Sequence, residues 1–250
     1  MITEGRITEA WRLLGTPRAG GILIVADHAS NRVPEGVDLG IDGELLNRHI
    51  AIDIGVAGVA GQMVAENCKT GEIAAWLANV SRLVCDFNRD LDAPGLLPEV
   101  SDGHEIPGNV LCAQGRSARL SQFFHAYHHD LEAQLTAAEP ALILSLHSFT
   151  PALATCDKPR PWHVGVLYNE DERAARIAIP LLEAEGLVVG DQLPYSGKVL
   201  NATMNRHAEA HGRPYLGIEI RQDLIGDAAG QAVWAERMAR ICRQVAATLA

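Results

Sequence analysis

The chain has 250 residues, which suffices for one large α/β domain or two small ones, and we expect a single domain over residues 1–250. Apolar residues make up 48% and charged residues 21%, a composition typical of folded globular proteins that excludes a disordered chain. The net charge is −10, which argues against nucleic acid as a partner because duplex binding requires a basic face.

The predicted elements alternate between short apolar runs and longer stretches with helical periodicity. In chain order they are strand Gly21–Ala26, helix Gly43–Asn67, strand Val80–Asp86, helix Ser117–Glu139, strands Ala141–Leu146 and His163–Tyr168, helix Glu170–Glu185, strands Leu187–Val189 and Tyr215–Arg221, and helix Ala228–Leu249. This alternation predicts an α/β fold, a three-layer α/β/α sandwich around a mostly parallel mixed sheet.

One long segment, Leu91–Gly115, has several prolines and glycines and no sustained period, so we expect a loop there. Loops longer than about 15 residues are uncommon unless they are functional or disordered, so this loop is a candidate lid or substrate loop.

Cysteine usage and the N-terminal segment favour a cytoplasmic protein. The five cysteines form no Cys-x-x-Cys pair, so neither a disulfide framework nor a thiolate zinc site is expected. The first residues lack a signal-peptide-like apolar run, and no run of about 18 uncharged apolar residues occurs, so no membrane partner is expected. The oligomeric state stays open.

Polar residues follow several predicted strands, where ligands bind in open α/β sheets. Two of these residues, His28 and His147, are the histidines we select as metal ligands. A catalytic zinc ion takes three nitrogen or oxygen ligands and keeps one position for water. The third ligand is Asp27 or Asp53, and Asp53 shares a face of the predicted helix with His49.

Other histidine-rich stretches do not have metal-ligand spacing. On a helix His125 and His129 share one face while His128 lies beside Phe124, so the three do not converge. Signatures of dinucleotide-binding proteins, P-loop proteins and serine hydrolases are absent from the sequence.

Nine segments in the same order resemble the N-formylglutamate amidohydrolase family. They are DHASN (27–31), RHIAIDIG (48–55), SRLVCDFNRD (81–90), SDGHEIPGN (101–109), AYHHDL (126–131), LSLHSFTP (144–151), PWHVGVLYN (161–169), PYSG (194–197) and IEIRQDLI (218–225). The resemblance implies a zinc-carboxypeptidase-like fold and hydrolysis of an N-acyl amino acid, typically N-formyl-L-glutamate to formate and L-glutamate.

The resemblance also implies roles for individual residues. His28, Asp53 and His147 would hold Zn²⁺, or another divalent transition metal, and Glu219 would be the general base. The wider zinc carboxypeptidase pattern has a Glu three residues after the first ligand, where this chain has Asn31. The alternative for Glu219 is a structural ion pair with Arg221 on the same strand face.

A small anionic N-acyl amino acid needs a local cation, since the chain as a whole is acidic. Arg89 is the candidate for both substrate binding and catalysis, and Asn88 adds a donor beside it. Arg82 is a second candidate, against the alternative of a structural salt bridge. His128 and Arg221 complete the set of candidate substrate-binding residues. The competing functions are hydrolysis of another N-acyl amino acid or small amide, and metabolite binding without catalysis.

Overall fold

The computed structural model describes residues 4–156 and 158–250, and its centre is an eight-stranded sheet. The described residues form ten strands, eight of which belong to this sheet. They are β1 (Glu4–Ile7), β2 (Trp11–Leu14), β3 (Ile22–Ala26), β4 (Ile73–Ala78), β5 (Val100–Ser101), β6 (His104–Glu105), β7 (Leu142–Phe149), β8 (Val164–Leu167), β9 (Val189–Asp191) and β10 (Tyr215–Arg221). The sheet order is β1-β2-β4-β3-β7-β10-β8-β9, and β5 and β6 form a separate hairpin. The four strands β4, β3, β7 and β10 pair in parallel.

Helices cover the sheet in two groups. They are α1 (Val56–Glu66), α2 (Ala113–Arg119), α3 (Ala126–Ala138), α4 (Arg173–Ala184), α5 (Ala202–His207) and α6 (Ala228–Leu249), with a π-helical turn at Leu120–His125 between α2 and α3. Helices α1, α4 and α6 pack together, whereas α3 packs with α5 and places Tyr127 against Trp76 of β4. The predicted α/β class with a mostly parallel mixed sheet is confirmed.

The central strands are buried because helices cover the sheet. All five residues of β3 and all eight residues of β7 are buried, and both strands are rich in aliphatic side chains. Asp227 caps the N-terminus of helix α6, and its carboxylate accepts a hydrogen bond from the backbone N–H of Gly230. Helix α3 ends at Ala138, just before the Pro140 that predicted its end.

The prediction of a strand at Val80–Asp86 is wrong, because this segment forms turns after β4. The Ser81 hydroxyl donates to the carbonyl of Ala51, and Ser81 also accepts from Leu83 N–H. The apolar side chains here are buried by loop packing, not by strand pairing. The strand itself lies earlier, at Ile73–Ala78, where three alanines give a weak β-propensity signal.

The single helix predicted at Gly43–Asn67 is also wrong. A short 3₁₀-helix covers Gly43–Asn47 and α1 begins only at Val56. The backbone between them bonds to neighbouring segments, as when Asp53 N–H donates to the carbonyl of His28 (3.0 Å). The shared helical face predicted for His49 and Asp53 therefore does not exist.

The remaining differences concern the edges of the sheet and the long loop. Strands β1 and β2 were not predicted, and β9 lies two residues later than expected. The segment 91–115, predicted as one loop, contains the β5–β6 hairpin and buries Leu96 and Ile106. Helix α2 begins at Ala113, before the predicted end of this loop. The five cysteines all lie within the described residues and are free. None of the described helices has the length and apolar content needed to span a bilayer.

Candidate metal centre and adjoining cavity

Three polar side chains meet near the carboxyl ends of the central parallel strands. His28 follows β3, and His147 lies near the end of β7. Asp53 reaches them from the turn before α1, which the Asp53–His28 backbone hydrogen bond fixes against β3. Glu219 of β10 lies directly across from His147 in the parallel register. Sheet topology therefore gathers residues from four distant parts of the chain.

The donor atoms of His28, Asp53 and His147 lie within 4.8 Å of one another, and all three residues are buried. The Asp53 Oδ2 atom is 3.3 Å from His28 Nδ1 and 2.9 Å from His147 Nδ1. Two imidazole nitrogens and one carboxylate oxygen form a donor set that suits zinc and leaves a position for water. The three residues could therefore hold a divalent metal ion, and they are the three that the family resemblance implied.

The other nitrogen of each imidazole faces a second carboxylate. His28 Nε2 is 2.7 Å from Asp86 Oδ1, and His147 Nε2 is 3.7 Å from Asp27 Oδ2. The Tyr127 hydroxyl donates to the other oxygen of Asp27 at 2.7 Å. Carboxylates in such positions fix the ring orientation and tautomer of metal-binding histidines. Sequence analysis assigned no functional role to Asp86. Its position after an apolar segment does not show whether its side chain would bind a metal ion or would hold a metal-binding histidine in place.

These close contacts shift the pKa values of the cluster. Burial lowers the pKa of His147, but the hydrogen bond and charge of Asp53 outweigh it and raise the pKa to about 9. Burial and Arg82 lower the pKa of His28, yet Asp86 and Asp53 raise it overall. Burial raises the pKa of Asp53, and the two histidines together bring it well below its ordinary range. In the metal-free fold the raised pKa of His147 therefore favours a proton on this imidazole, which a metal ion would displace.

Glu219 forms one wall of the site and has unused hydrogen-bonding capacity. Its Oε2 atom is buried and has no hydrogen-bond partner among the described residues. Burial raises the pKa of Glu219 to about 7, although the neighbouring His147 opposes the shift. A carboxylate with a pKa near neutrality is suited to accept and return a proton.

Two arginines and an asparagine lie beside the cluster. Arg82 forms ion pairs with Asp53 (3.2 Å) and Asp86 (2.8 Å). Arg89 donates to the carbonyl of Asn88 and approaches Asp86 only to 3.9 Å. The carbonyl oxygen of the Asn88 side chain accepts from a backbone N–H of α5. Arg82 is thus neutralised by two carboxylates, while Arg89 keeps donors for a ligand.

A cavity of about 130 Å³ opens directly onto these groups. The residues that line it include the three residues of the cluster, Glu219, the two arginines and side chains of neighbouring loops. They are His28, His49, Asp53, Arg82, Asn88, Arg89, His147, Ser148, Phe149, Thr150, Tyr195, Leu200 and Glu219. A larger cavity of about 640 Å³ lies within segment 92–116, but its lining includes none of the residues His28, Asp53, His147 and Glu219. We place the site at the smaller cavity because the chemistry converges there.

Two predicted substrate-binding residues lie elsewhere. His128 is buried beneath the site and bonds to His207 and to the carbonyl of Phe87. Arg221 pairs with Asp223 (2.7 Å) and lines neither the cavity nor the cluster. The structure therefore brings Arg82, Asn88 and Arg89 together with the His28–Asp53–His147 cluster. It does not bring His128 or Arg221 to the same cavity.

The observed contacts of Glu219 and Arg82 can be compared with the structural ion pairs that were considered as alternatives for these two residues. Within the described part of the chain Glu219 forms no ion pair with Arg221. Arg82 does form structural salt bridges, but they lie inside the site. Tyr195 and His49 line the cavity without having been given a role there. The PYSG segment was the only signal for Tyr195.

Comparison with known proteins agrees with this geometry. The fold and the cluster define an α/β protein with a site at the carboxyl ends of its strands that could hold a metal ion. The sequence profile of the family described as N-formylglutamate amidohydrolase matches residues 20–226. The chain therefore belongs to the N-formylglutamate amidohydrolase family, a family of hydrolases.

Two solved structures show how well the fold is shared. A protein of Agrobacterium tumefaciens, gene product Atu2144, is 27% identical with a TM-score of 0.86, and the match covers 96% of each chain. The N-formylglutamate amidohydrolase from Ralstonia eutropha JMP134 is 16% identical with a TM-score of 0.71, over 97% of this chain and 98% of the other. No curated protein matches the sequence of this chain.

Proposed function

We propose that this chain is a metal-dependent amidohydrolase that cleaves the amide bond of small N-acyl amino acids. N-formyl-L-glutamate, which would give formate and L-glutamate, is the first substrate to test. The observation that carries the proposal is the buried His28–Asp53–His147 cluster, which opens onto a cavity that Glu219 also lines. Membership of the hydrolase family supports it.

His28, Asp53 and His147 would hold the ion, with Zn²⁺ favoured by the nitrogen and oxygen donors and other divalent transition metals also suited. When bound, such an ion polarises a carbonyl group and lowers the pKa of water to about 7. Asp86 and Asp27 hold the two imidazole rings in position from behind.

Glu219 would carry the proton during the reaction. Its carboxylate accepts a proton from the attacking water as the water oxygen bonds to the acyl carbon. The same proton then passes to the amide nitrogen as the C–N bond breaks, and the acid and the amine leave. Burial raises the pKa of Glu219 in the metal-free fold, which favours a proton resting on this carboxylate between the two transfers.

Arg89 would bind the substrate carboxylate, since its guanidinium keeps donors that Asp86 does not use. Arg82 holds Asp53 and Asp86 in place and adds positive charge beside them. Asn88 lies beside Arg89 and lines the same cavity.

Formate release from N-formyl-L-glutamate tests the proposal. Purified protein is treated with a chelator, reloaded with Zn²⁺, and assayed for formate and for L-glutamate in equal amounts. We expect turnover only in the reloaded sample. Binding of N-acyl amino acids without formate or glutamate release in any metal-loaded sample would favour the non-catalytic metabolite-binding alternative.

A further inference from the structure

His49 and Asp102 form a pair at the edge of the site that the proposed function leaves without a role. His49 Nε2 is 3.0 Å from Asp102 Oδ2. His49 lines the cavity of about 130 Å³, and both residues line an adjoining space of about 330 Å³ whose walls are largely polar or charged. Arg89 also borders both spaces. The pair therefore lies at the junction where the inner cavity opens outward.

A tight turn sets the position of Asp102. Strands β5 and β6 are joined by Asp102 and Gly103, whose φ values are +43° and +81°. The two-residue hairpin turn requires positive φ at both positions, and Asp-Gly is one of the pairs that adopt it most readily. The Asp102 carboxylate also accepts hydrogen bonds from the N–H of Ala154 and from the N–H and hydroxyl of Thr155. It is therefore held on several sides where it meets His49.

Asp102 determines which nitrogen of His49 carries the proton. An ionised carboxylate only accepts hydrogen bonds, so Nε2 is the donor and the proton of the neutral ring lies there. Burial lowers the pKa of His49, and Asp102 offsets this only in part, so the neutral ring is favoured at neutral pH. Among the described residues Nδ1 has no hydrogen-bond partner. At the junction the ring therefore offers an acceptor and no second donor.

The carboxylates beside the inner cavity have other duties. Asp53 and Asp86 both accept hydrogen bonds from Arg82, and Asp53 also belongs to the cluster that could hold a metal ion. Glu219 exchanges a proton in the proposed function. His49 Nδ1 has none of these duties, and a neutral imidazole nitrogen accepts a hydrogen bond without adding negative charge beside an anionic substrate.

The chemistry of the substrate supplies the matching donor. In an ionised N-acyl glutamate the acyl carbonyl and both carboxylates only accept hydrogen bonds, and the amide N–H is the one donor. This N–H lies between the acyl carbon, which the proposed function places beside Glu219, and the carboxylate, which it places at Arg89. His49 lines the inner cavity with Glu219 and borders both spaces with Arg89. An acceptor in that place complements the amide N–H.

We propose that His49 accepts a hydrogen bond from the amide N–H of the substrate through Nδ1, and that Asp102 positions the His49 ring for this contact. The inference rests on the proposed function and adds a specificity-determining residue to it. His49 forms and breaks no covalent bond, and the amide proton stays on its nitrogen. The contact selects secondary amides over compounds that lack the N–H, such as esters of the same shape.

The test compares N-formyl-L-glutamate with 2-(formyloxy)glutarate, the ester in which oxygen replaces the amide N–H, on metal-loaded protein. His49→Gln removes the Nδ1 acceptor, while its side-chain amide can still donate to Asp102. We expect the amide-to-ester ratio of kcat/KM to fall at least about tenfold in His49→Gln, the scale of one lost hydrogen bond. Because both compounds are assayed on the same sample, the ratio does not depend on the folded fraction. An unchanged ratio would overturn the inference.

Two further variants sharpen the comparison. His129→Gln is the matched control, since His129 is exposed and lines neither space, and its ratio should equal that of the wild type. Asp102→Asn retains a residue that tolerates the left-handed backbone but weakens the acceptor for His49. Its ratio should fall by about two- to tenfold. An amide-to-ester ratio that stays at the wild-type value in Asp102→Asn would refute the positioning role of Asp102.

Calorimetric binding of the same two compounds separates this inference from the proposed function. If metal-loaded wild type hydrolyses neither compound, the proposed function fails, and the dissociation constants test the contact instead. At least about tenfold weaker binding of the amide in His49→Gln, with the ester changed less than about twofold, would support the hydrogen bond. Equal changes for the two compounds would refute it.

Discussion

Two buried histidine clusters lie on either side of segment 86–88, and they differ in what their polar atoms bind. The first is the His28–Asp53–His147 cluster. In the second, His128 and His207 are 2.9 Å apart, and each uses its remaining nitrogen within the protein. His128 Nε2 is 3.1 Å from the Phe87 carbonyl, and His207 Nδ1 is 2.9 Å from a Glu132 oxygen that Arg213 also binds.

The difference separates a candidate site from a structural network. All four ring nitrogens of the His128–His207 pair have partners, and neither residue lines the cavity beside the first cluster. The first cluster borders a cavity that Glu219 also lines, and the buried Glu219 Oε2 atom has no hydrogen-bond partner among the described residues. The first cluster therefore has polar groups beside a space for a ligand, whereas the ring nitrogens of the second cluster are all used within the protein.

The largest expected effect separates the two clusters by metal affinity. His147→Ala removes a ligand and should abolish both zinc binding and hydrolysis. His207→Ala should retain the zinc stoichiometry but destabilise the fold by about 1–3 kcal/mol, because it leaves partners of a buried network unpaired. Zinc titration and urea unfolding of both variants measure this, with exposed His129→Ala as the control. Retained zinc binding in His147→Ala would remove His147 from the site.

The next effect concerns catalysis with the metal site intact. Glu219→Gln keeps the shape of the side chain but cannot accept a proton, so kcat should fall about 10²–10⁴-fold while zinc binding is preserved. Glu236→Gln, an exposed change on α6, is the matched control. Hydrolysis at the wild-type rate by Glu219→Gln would contradict the proposed mechanism.

Support of the metal ligands should have a smaller effect. Asp86→Asn weakens the carboxylate behind His28 and should lower zinc affinity about 10–100-fold, the usual range for such supporting groups. Asp90→Asn changes an exposed neighbour and should leave the affinity unaltered. An unchanged affinity in Asp86→Asn would show that Asp86 serves Arg82 rather than the metal ligand.

The smallest effect is a pH dependence that has opposite signs in the two clusters. The pKa of His147 rises from 6.5 to about 9 in the metal-free fold, so its proton stabilises the fold below pH 6.5. That stability is lost as pH rises through 9. The hydrogen bond from Arg213 lowers the pKa of Glu132 from 4.5 to about 2, so its contribution is present above pH 4.5 and lost as pH falls through 2.

Urea unfolding of chelator-treated protein across the pH range checks this dependence. Zinc should remove the loss at high pH, because metal ligands are deprotonated when they bind. A metal-free stability that stays flat between pH 6.5 and 9 would contradict the proton held by the first cluster.

The sequence predicted the cluster better than the elements that carry it. His28 follows β3 and His147 lies near the end of β7, so their placement at one edge depended only on recognising those aliphatic strands. Asp53 was assigned to a helix that does not form, because loop hydrogen bonds to His28 and Ser81 override local periodicity. Its role came from family resemblance rather than from spacing.

Long-range contacts explain what the sequence did not reveal. The alanine-rich strand β4 is defined by its neighbours in the sheet, and local propensity does not mark it. His128 and Glu219 are both buried polar residues within periodic elements, yet one is satisfied and the other is not. That distinction depends on residues more than 40 positions away, which no local pattern contains.

The most direct test of the central claim is calorimetric titration of Zn²⁺ into chelator-treated protein. The account predicts one tight site per chain, lost in His28→Ala and in His147→Ala but kept in His129→Ala. No heat of binding in the wild type, or a site that survives both of the first two substitutions, would contradict it.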